Sequence, residues 1–154
     1  MSYSFGETST RNLKEAHPDL QAVFNEVIRH TDCKVIEGFR HKAEQDRAYE
    51  SGKSRVQWPN SNHNKRPTFA VDVVPFPIDW TDTERFKLFG GFVMWVGSRL
   101  WLKGKTTHVV RWGADWDDDG DIAEHSLVDY PHFELVELGE AVYAPDTVED
   151  PDLR

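Results

Sequence analysis

Two histidines and one aspartate are spaced along the chain so that they could bind a metal ion. His63 lies in a polar loop, Asp72 follows nine residues later within an apolar run, and His132 begins another apolar run. Two imidazoles and one carboxylate are a common ligand set for catalytic zinc, and they leave a fourth position open for water. A surface histidine, a capping aspartate and a buried histidine would give the same pattern, so spacing alone leaves both interpretations open.

A second carboxylate precedes the last of these residues. Asp129 stands three positions before His132, so a turn could bring it close to a bound metal without making it a ligand. Such a group can take a proton from water and deliver it to an amine leaving group. The alternative is an aspartate that caps the turn before a strand.

Strand alternation would aim two of the candidate ligands in a common direction. The β-branched run at 69–74 predicts an inner strand in which Asp72 points away from its apolar neighbours. The segment 132–136 predicts another strand, in which His132 likewise points away from the core. Each strand could therefore bury one face and present a ligand from the other.

The remaining elements come in a mixed order. Apolar spacing and turn residues predict one broken helix or two short ones over 9–30, a strand over 33–39 and a helix over 41–51. A loop over 52–67 follows. After the strand at 69–74 the sequence predicts a capping box at 81–84, a long helix through 86–100 and a strand over 107–112. We therefore predict an α+β fold: a small, mostly antiparallel sheet with helices packed on one side and a zinc cleft on the other.

An acidic loop separates the last two predicted strands. Its carboxylates alternate and a glycine stands sixth, as in the first half of an EF-hand loop, and these carboxylates are Asp115, Asp117, Asp119 and Asp121. Ser126 occupies the twelfth position, where an EF-hand has glutamate. The loop predicts a calcium site outside the standard EF-hand, and a solvated acidic loop is the alternative.

Composition excludes several classes of protein. The 154 residues carry 18 Lys plus Arg against 27 Asp plus Glu, a net charge of −9, which disfavours nucleic-acid binding. The single cysteine, Cys33, cannot form an internal disulfide, so folding in a cytosol is expected. The sequence shows no signal peptide and no membrane-spanning run, so work outside the cytoplasm would need a separate export or holin-type route.

Several ordered motifs carry a resemblance to a known family. They are Gly38-Phe39-Arg40 followed by Gln45 and Gly52-x-Ser54, Ser61-x-His63 with Ala70-Val71-Asp72, Trp112-Gly113-Ala114-Asp115-Trp116, and Asp129-x-x-His132-Phe133-Glu134-Leu135. In this order they resemble the zinc D,D-carboxypeptidase and L-alanyl-D-glutamate endopeptidase family, the peptidoglycan peptidases that include many phage endolysins. The resemblance covers roughly residues 1–136 and leaves 137–154 as an acidic tail.

The resemblance implies roles for named residues. Arg40 would lie near the scissile carbonyl or a substrate carboxylate, although a structural ion pair is its alternative. Gln45 would face substrate or pack, and Ser61 would contact substrate. Asp129 would be the catalytic base, and zinc would be bound by His63, Asp72 and His132. The nine-residue step from His63 to Asp72 is longer than in many members, and this spacing and an aspartate base both resemble the endolysin branch.

The implied function is hydrolysis of an amide in peptidoglycan stem peptides, most simply the L-Ala to D-Glu bond, by an endolysin in host lysis. We expect a monomer in the host cytoplasm that is released to the cell wall. A D-Ala-D-Ala carboxypeptidase or dipeptidase is the alternative within the family. A noncatalytic, metal-stabilised wall-binding or virion protein is the alternative from another class.

Overall fold

The computed structural model describes residues 2–123 and 128–137, which begin with two short helices. Helix α1 spans Glu7–Lys14 and helix α2 spans Pro18–Val27. The chain breaks between them because Pro18 occupies the first turn of α2, where the missing N–H costs nothing. His17 caps this helix, since its Nδ1 accepts the Asp19 N–H at 3.0 Å.

Four strands form one antiparallel sheet in the order β1-β2-β4-β3. They are β1 (Cys33–Glu37), β2 (Ala70–Pro75), β3 (Val109–Trp112) and β4 (His132–Val136). Strand β2 is buried along its whole length because it lies inside the sheet with covered faces. The mostly antiparallel sheet predicted from the sequence is confirmed.

The other helices follow β1 and β2. Helix α3 spans Lys42–Glu50, and a 3₁₀ turn spans Asn62–Asn64 in the loop that follows it. Helix α4 spans Thr83–Leu102. The capping box predicted at 81–84 is wrong by one residue, because Asp82 is the cap and its side chain accepts the Arg85 N–H at 3.1 Å.

Helices α2 and α4 pack on one face of the sheet and leave the other face for polar groups. The buried apolar side chains on the helix-covered face come from both central strands, among them Val71, Val73, Phe133 and Leu135. Alternation then directs Asp72, His132 and Glu134 to the opposite face. This arrangement confirms the predicted α+β architecture with helices on one side.

Close packing of α4 against β3 requires a glycine. A Cβ added at Gly90 would lie 2.1 Å from the Trp112 ring, so any side chain there would push helix and strand apart. Trp112 also stacks on Phe133, with ring centroids 6.3 Å apart, and this contact ties α4 to the strand that carries His132.

The remaining predictions concern burial and extent. Cys33 is buried, and burial raises the pKa of its thiol to about 12, as expected for an inert core cysteine. Among the described residues no helix is both long and apolar enough to cross a lipid bilayer. The predicted acidic tail lies outside the described residues, apart from Glu137.

Candidate metal centre and active site

Strand pairing and one loop bring the three predicted ligands together. Asp72 on β2 lies directly opposite His132 on β4 in the antiparallel ladder, so their side chains leave the sheet side by side. His63 lies on the 3₁₀ turn that faces them. Ser61 caps this turn, since its Oγ accepts the His63 N–H at 3.2 Å and fixes the backbone that carries the imidazole.

The three donor atoms lie at nearly equal separations. His63 Nε2 is 3.3 Å from His132 Nδ1 and 3.3 Å from Asp72 Oδ1, and His132 Nδ1 is 3.4 Å from Asp72 Oδ1. A tetrahedral zinc with bonds of about 2.0–2.1 Å holds neighbouring donors about 3.3–3.4 Å apart. The triangle of donors therefore fits one face of a zinc coordination tetrahedron.

The outer nitrogens of both imidazoles are engaged in hydrogen bonds. His63 Nδ1 donates to the Gly38 carbonyl at 2.8 Å, and His132 Nε2 donates to Glu134 Oε1 at 2.7 Å. In the neutral tautomers these bonds imply, the remaining lone pairs on both rings face the common point. Carbonyl or carboxylate partners of this kind orient histidine ligands in metal sites.

Electrostatics at the centre also favour a cation. Asp72 Oδ1 is buried and has no hydrogen-bond partner of acceptable geometry. Burial opposes its ionisation, but His63 and His132 outweigh this and hold the pKa of Asp72 well below its ordinary value. Burial likewise opposes the charged form of His132, but the carboxylates of Asp72 and Glu134 outweigh burial and raise its pKa to about 10. The negative charge of Asp72 beside the two imidazoles therefore favours a bound cation.

Glu134 is a site residue that sequence reasoning named only within a motif and gave no role. Its Oε2 accepts from Asn62 Nδ2 at 2.5 Å and from Arg111 at 3.0 Å, while its Oε1 accepts from His132. Burial opposes ionisation, but His132 and Arg111 lower the pKa of Glu134 to about 2. The available signal was its position two residues after His132, on the same strand face.

The predicted base lies at the edge of the same cleft. Asp129 is half-buried and lines a cavity of about 330 Å³ together with His63 and His132. Its N–H donates to the Gly113 carbonyl at 2.8 Å, and the Gly113 N–H donates to the His132 carbonyl at 2.8 Å. A Cβ at Gly113 would lie 2.4 Å from the Asp129 carbonyl oxygen, so glycine permits this close approach. Burial, and then the charge of Asp72, raise the pKa of Asp129.

Arg40 lies behind the metal ligands and is engaged by protein partners. Glu37 accepts from its Nε at 2.8 Å and from its Nη2 at 3.0 Å, and Gln45 Oε1 accepts from its Nη1 at 3.0 Å. Its Nη2 also lies 3.9 Å from Asp72 Oδ2. The ion pair left open as the structural alternative is therefore present, and the guanidinium places positive charge behind Asp72.

Gln45 and Ser61 support the cleft. Gln45 is 0% exposed, and its amide joins Arg40 to the turn at Ser54, where its Nε2 donates to Ser54 Oγ at 3.0 Å and to the Val56 carbonyl at 2.6 Å. This is the packing role considered for Gln45, and it removes the side chain from direct reach of a substrate. Ser61 lines the cleft but uses its oxygen as the cap for His63.

The acidic loop brings three of its four predicted ligands together. Asp115, Asp117 and Asp119 have carboxylate oxygens within 4.8 Å of one another, and Asp121 is outside this group. Both oxygens of Asp115 accept backbone N–H groups, from Asp119 at 3.1 Å and from Gly120 at 2.9 Å. Burial, and then repulsion from the charge of Asp115, raise the pKa of Asp118 to about 7.

A further cluster of two histidines and an aspartate joins α2 to β3. His17, Asp19 and His108 also place candidate ligand atoms within 4.8 Å. Asp19 Oδ2 accepts from the backbone and hydroxyl of Thr107, from the His108 N–H and from the His108 ring, at 2.9–3.0 Å. This cluster is a hydrogen-bonded clamp between elements.

Comparisons with known proteins identify the family of the chain. The model of the phage L-alanyl-D-glutamate peptidase family matches residues 1–136. The L-alanyl-D-glutamate peptidase of Escherichia phage T5 is 28% identical over an alignment of 144 residues, which covers 88% of this chain and all of that protein. The crystal structure of the Serratia marcescens L-Ala D-Glu endopeptidase ChiX matches with a TM-score of 0.67 and 28% identity, over 86% of this chain and 89% of that one. The chain therefore belongs to the phage L-alanyl-D-glutamate peptidase family.

Proposed function

We propose that this chain is a zinc peptidase that hydrolyses the L-Ala to D-Glu bond of peptidoglycan stem peptides, as an endolysin. The observation that carries the zinc assignment is the triangle of donor atoms on His63, Asp72 and His132, with edges of 3.3–3.4 Å. Both histidines line the cleft, so a zinc ion held there would be accessible to substrate. A purely structural zinc would favour four protein ligands.

The chemistry divides between the metal and the chain. Bound zinc would polarise the scissile carbonyl and acidify the attacking water. Asp129 accepts the proton of that water and delivers it to the departing amine of D-Glu. Its half-buried position and raised pKa suit a group that must both take and return a proton.

The other predicted site residues position this machinery. Arg40 balances the buried charge of Asp72, and Gln45 connects Arg40 to the turn at Ser54. Ser61 fixes the turn that carries His63. We therefore assign positioning roles to all three, in place of the direct substrate contacts expected from the sequence.

The biological setting follows from the substrate class. The proposed partner is bacterial peptidoglycan, bound by the catalytic domain over residues 1–136. We propose a monomer that acts on the wall after release from the host cytoplasm. The segment 137–154 is then an acidic tail outside the catalytic domain.

Asp129→Asn tests the function most directly. The amide keeps the shape of the side chain and removes the proton acceptor, so hydrolysis should fall about 10²- to 10⁴-fold while zinc content stays at one per chain. Mass spectrometry of digested peptidoglycan identifies the bond, and Asp79→Asn, which changes an exposed carboxylate in the turn before α4, is the matched control. Release of D-Ala by the parent protein would instead support the D-Ala-D-Ala carboxypeptidase alternative. Near-normal turnover by Asp129→Asn would return Asp129 to a capping role.

A further inference from the structure

The cleft beside the metal centre is rich in cations although the protein is acidic. The net charge of the chain is −9, yet four basic side chains line this one cavity, namely Arg40, Lys53, Arg55 and Arg111. A cleft whose charge opposes that of the whole molecule can attract an anionic ligand.

Two of these four cations are neutralised within the protein. Arg40 makes two bonds to the Glu37 carboxylate, at 2.8 and 3.0 Å, and is 5% exposed. Arg111 donates to Glu134 at 3.0 Å. Both cations are therefore paired with acidic side chains of the protein, and these ion pairs weaken their attraction for an anionic ligand.

The other two cations lie at the exposed rim of the cleft. Lys53 Nζ is 3.5 Å from Glu37 Oε2, a carboxylate already occupied by Arg40, and its side chain is 61% exposed. Arg55 is exposed and has no hydrogen bond or ion pair from its side chain within 2–123 and 128–137. The rim therefore holds an excess of positive charge next to the reaction centre.

The turn that carries these residues is held in place. Ser54 Oγ accepts the Val56 N–H at 3.1 Å, and the buried Gln45 amide donates to both Ser54 Oγ and the Val56 carbonyl. Arg55 lies between these two anchors. Its backbone is thus fixed while its guanidinium is available, which lowers the entropy cost of binding a ligand.

The proposed substrate has an anion where these cations could reach it. A glutamate whose nitrogen forms the scissile amide has two carboxyl groups, of which one continues the peptide and the other is free. Building on the proposed function, we propose that Arg55, assisted by Lys53, binds this free carboxylate and thereby selects stem peptides with an unmodified D-Glu. The planar guanidinium can make two parallel bonds to a carboxylate.

The test compares two synthetic stem peptides that differ in one group. One has the free D-Glu carboxyl, and the other has a carboxamide there. Parent protein should cleave the carboxylate peptide with a kcat/KM about tenfold higher. Arg55→Gln should lower kcat/KM for the carboxylate peptide about tenfold, and the loss should lie in KM because the lost contact binds ground state and transition state equally. The variant should cleave the amidated peptide like the parent, because that peptide lacks the carboxylate that Arg55 binds. Lys53→Gln should show a smaller loss of the same kind.

The controls separate the possible failures. Lys105→Gln removes an exposed cation outside the cleft and should leave kcat/KM for both peptides unchanged. Arg55→Lys should keep part of the preference because it keeps the charge. Equal cleavage of both peptides by the parent, or an equal loss on both in Arg55→Gln, would overturn this inference and leave the proposed function standing. Cleavage of neither peptide by the parent would overturn the proposed function and this inference with it.

Discussion

Two clusters in this molecule contain the same residue types and do different chemistry. The centre of His63, Asp72 and His132 and the clamp of His17, Asp19 and His108 each hold two imidazoles and one carboxylate with ligand atoms within 4.8 Å. In the clamp, hydrogen bonds occupy Asp19 Oδ2 and the Nδ1 of both rings. In the centre, Asp72 Oδ1 has no hydrogen-bond partner. Unused acceptors, rather than proximity, distinguish a site for a cation from structural hydrogen bonding.

Alanine variants of one histidine in each cluster should give the largest difference between the two clusters. His132→Ala removes a ligand, so zinc content should fall from one per chain to near zero and hydrolysis should become undetectable. His108→Ala should keep zinc and activity and lower the free energy of unfolding by about 1–2 kcal/mol, because Asp19 loses a partly buried hydrogen-bond partner. Metal analysis and denaturant unfolding of both variants check this. Zinc loss in His108→Ala alone would reverse the two assignments.

Glu134→Gln should have the next largest effect. The amide preserves the shape of the side chain but weakens the hydrogen bond that orients His132, so zinc affinity and activity should fall about 10- to 100-fold. Competition with a zinc chelator gives the affinity. A parent-like affinity would show that strand geometry alone orients His132.

The metal-free protein should lose stability as the pH rises. The folded pKa of His132, about 10, lies above its ordinary 6.5. The stabilisation from the protonated ring is therefore fully present below pH 6.5 and is lost as the pH rises through about 10. Zinc-loaded protein should lack this component, because the metal replaces the proton. Denaturant titrations of both forms across this range measure the difference, and parallel curves would contradict the prediction.

Calcium binding to the acidic loop should have the smallest effect on activity. If calcium relieves the repulsion around Asp118, added calcium should raise activity a few-fold and bind with measurable heat. Calorimetry on zinc-loaded parent and on the double variant Asp117→Asn/Asp119→Asn checks this. Absent heat in the parent, or equal activation of both proteins, would contradict calcium binding. The loop carboxylates would then act only as acceptors for backbone N–H groups of the loop.

Sequence reasoning located the candidate ligands more readily than their supports. Ligand residue types and strand alternation made Asp72 and His132 candidates, and the family resemblance was needed to favour them as ligands. Strand β4 begins and ends where predicted. The role of Glu134 could not be assigned, because its position two residues after His132 indicates a shared strand face but not a hydrogen bond to that histidine. The pairing of Arg40 with Glu37 depends on an irregularity in β1 between Val35 and Glu37, which only the folded sheet shows.

The supporting residues meet through contacts between distant parts of the chain. Gln45 is nine residues from Ser54 in sequence, and Asn62 is 72 residues from Glu134, yet both pairs are in hydrogen-bond contact. Local patterns predict helices and strands because those depend on nearby residues. They cannot predict which distant side chains meet, since that depends on how the elements pack.

The pairing of Asp72 with His132 makes the reaction centre depend on the register of β4 against β2. If β4 shifted by one residue along β2, Phe133 would stand opposite Asp72 and every side chain of β4 would turn to the other face. His132 would then enter the apolar core and Phe133 would enter the cleft. A misaligned sheet thus loses stability and catalysis together, so the peptidase cannot become active before its central strands are correctly aligned.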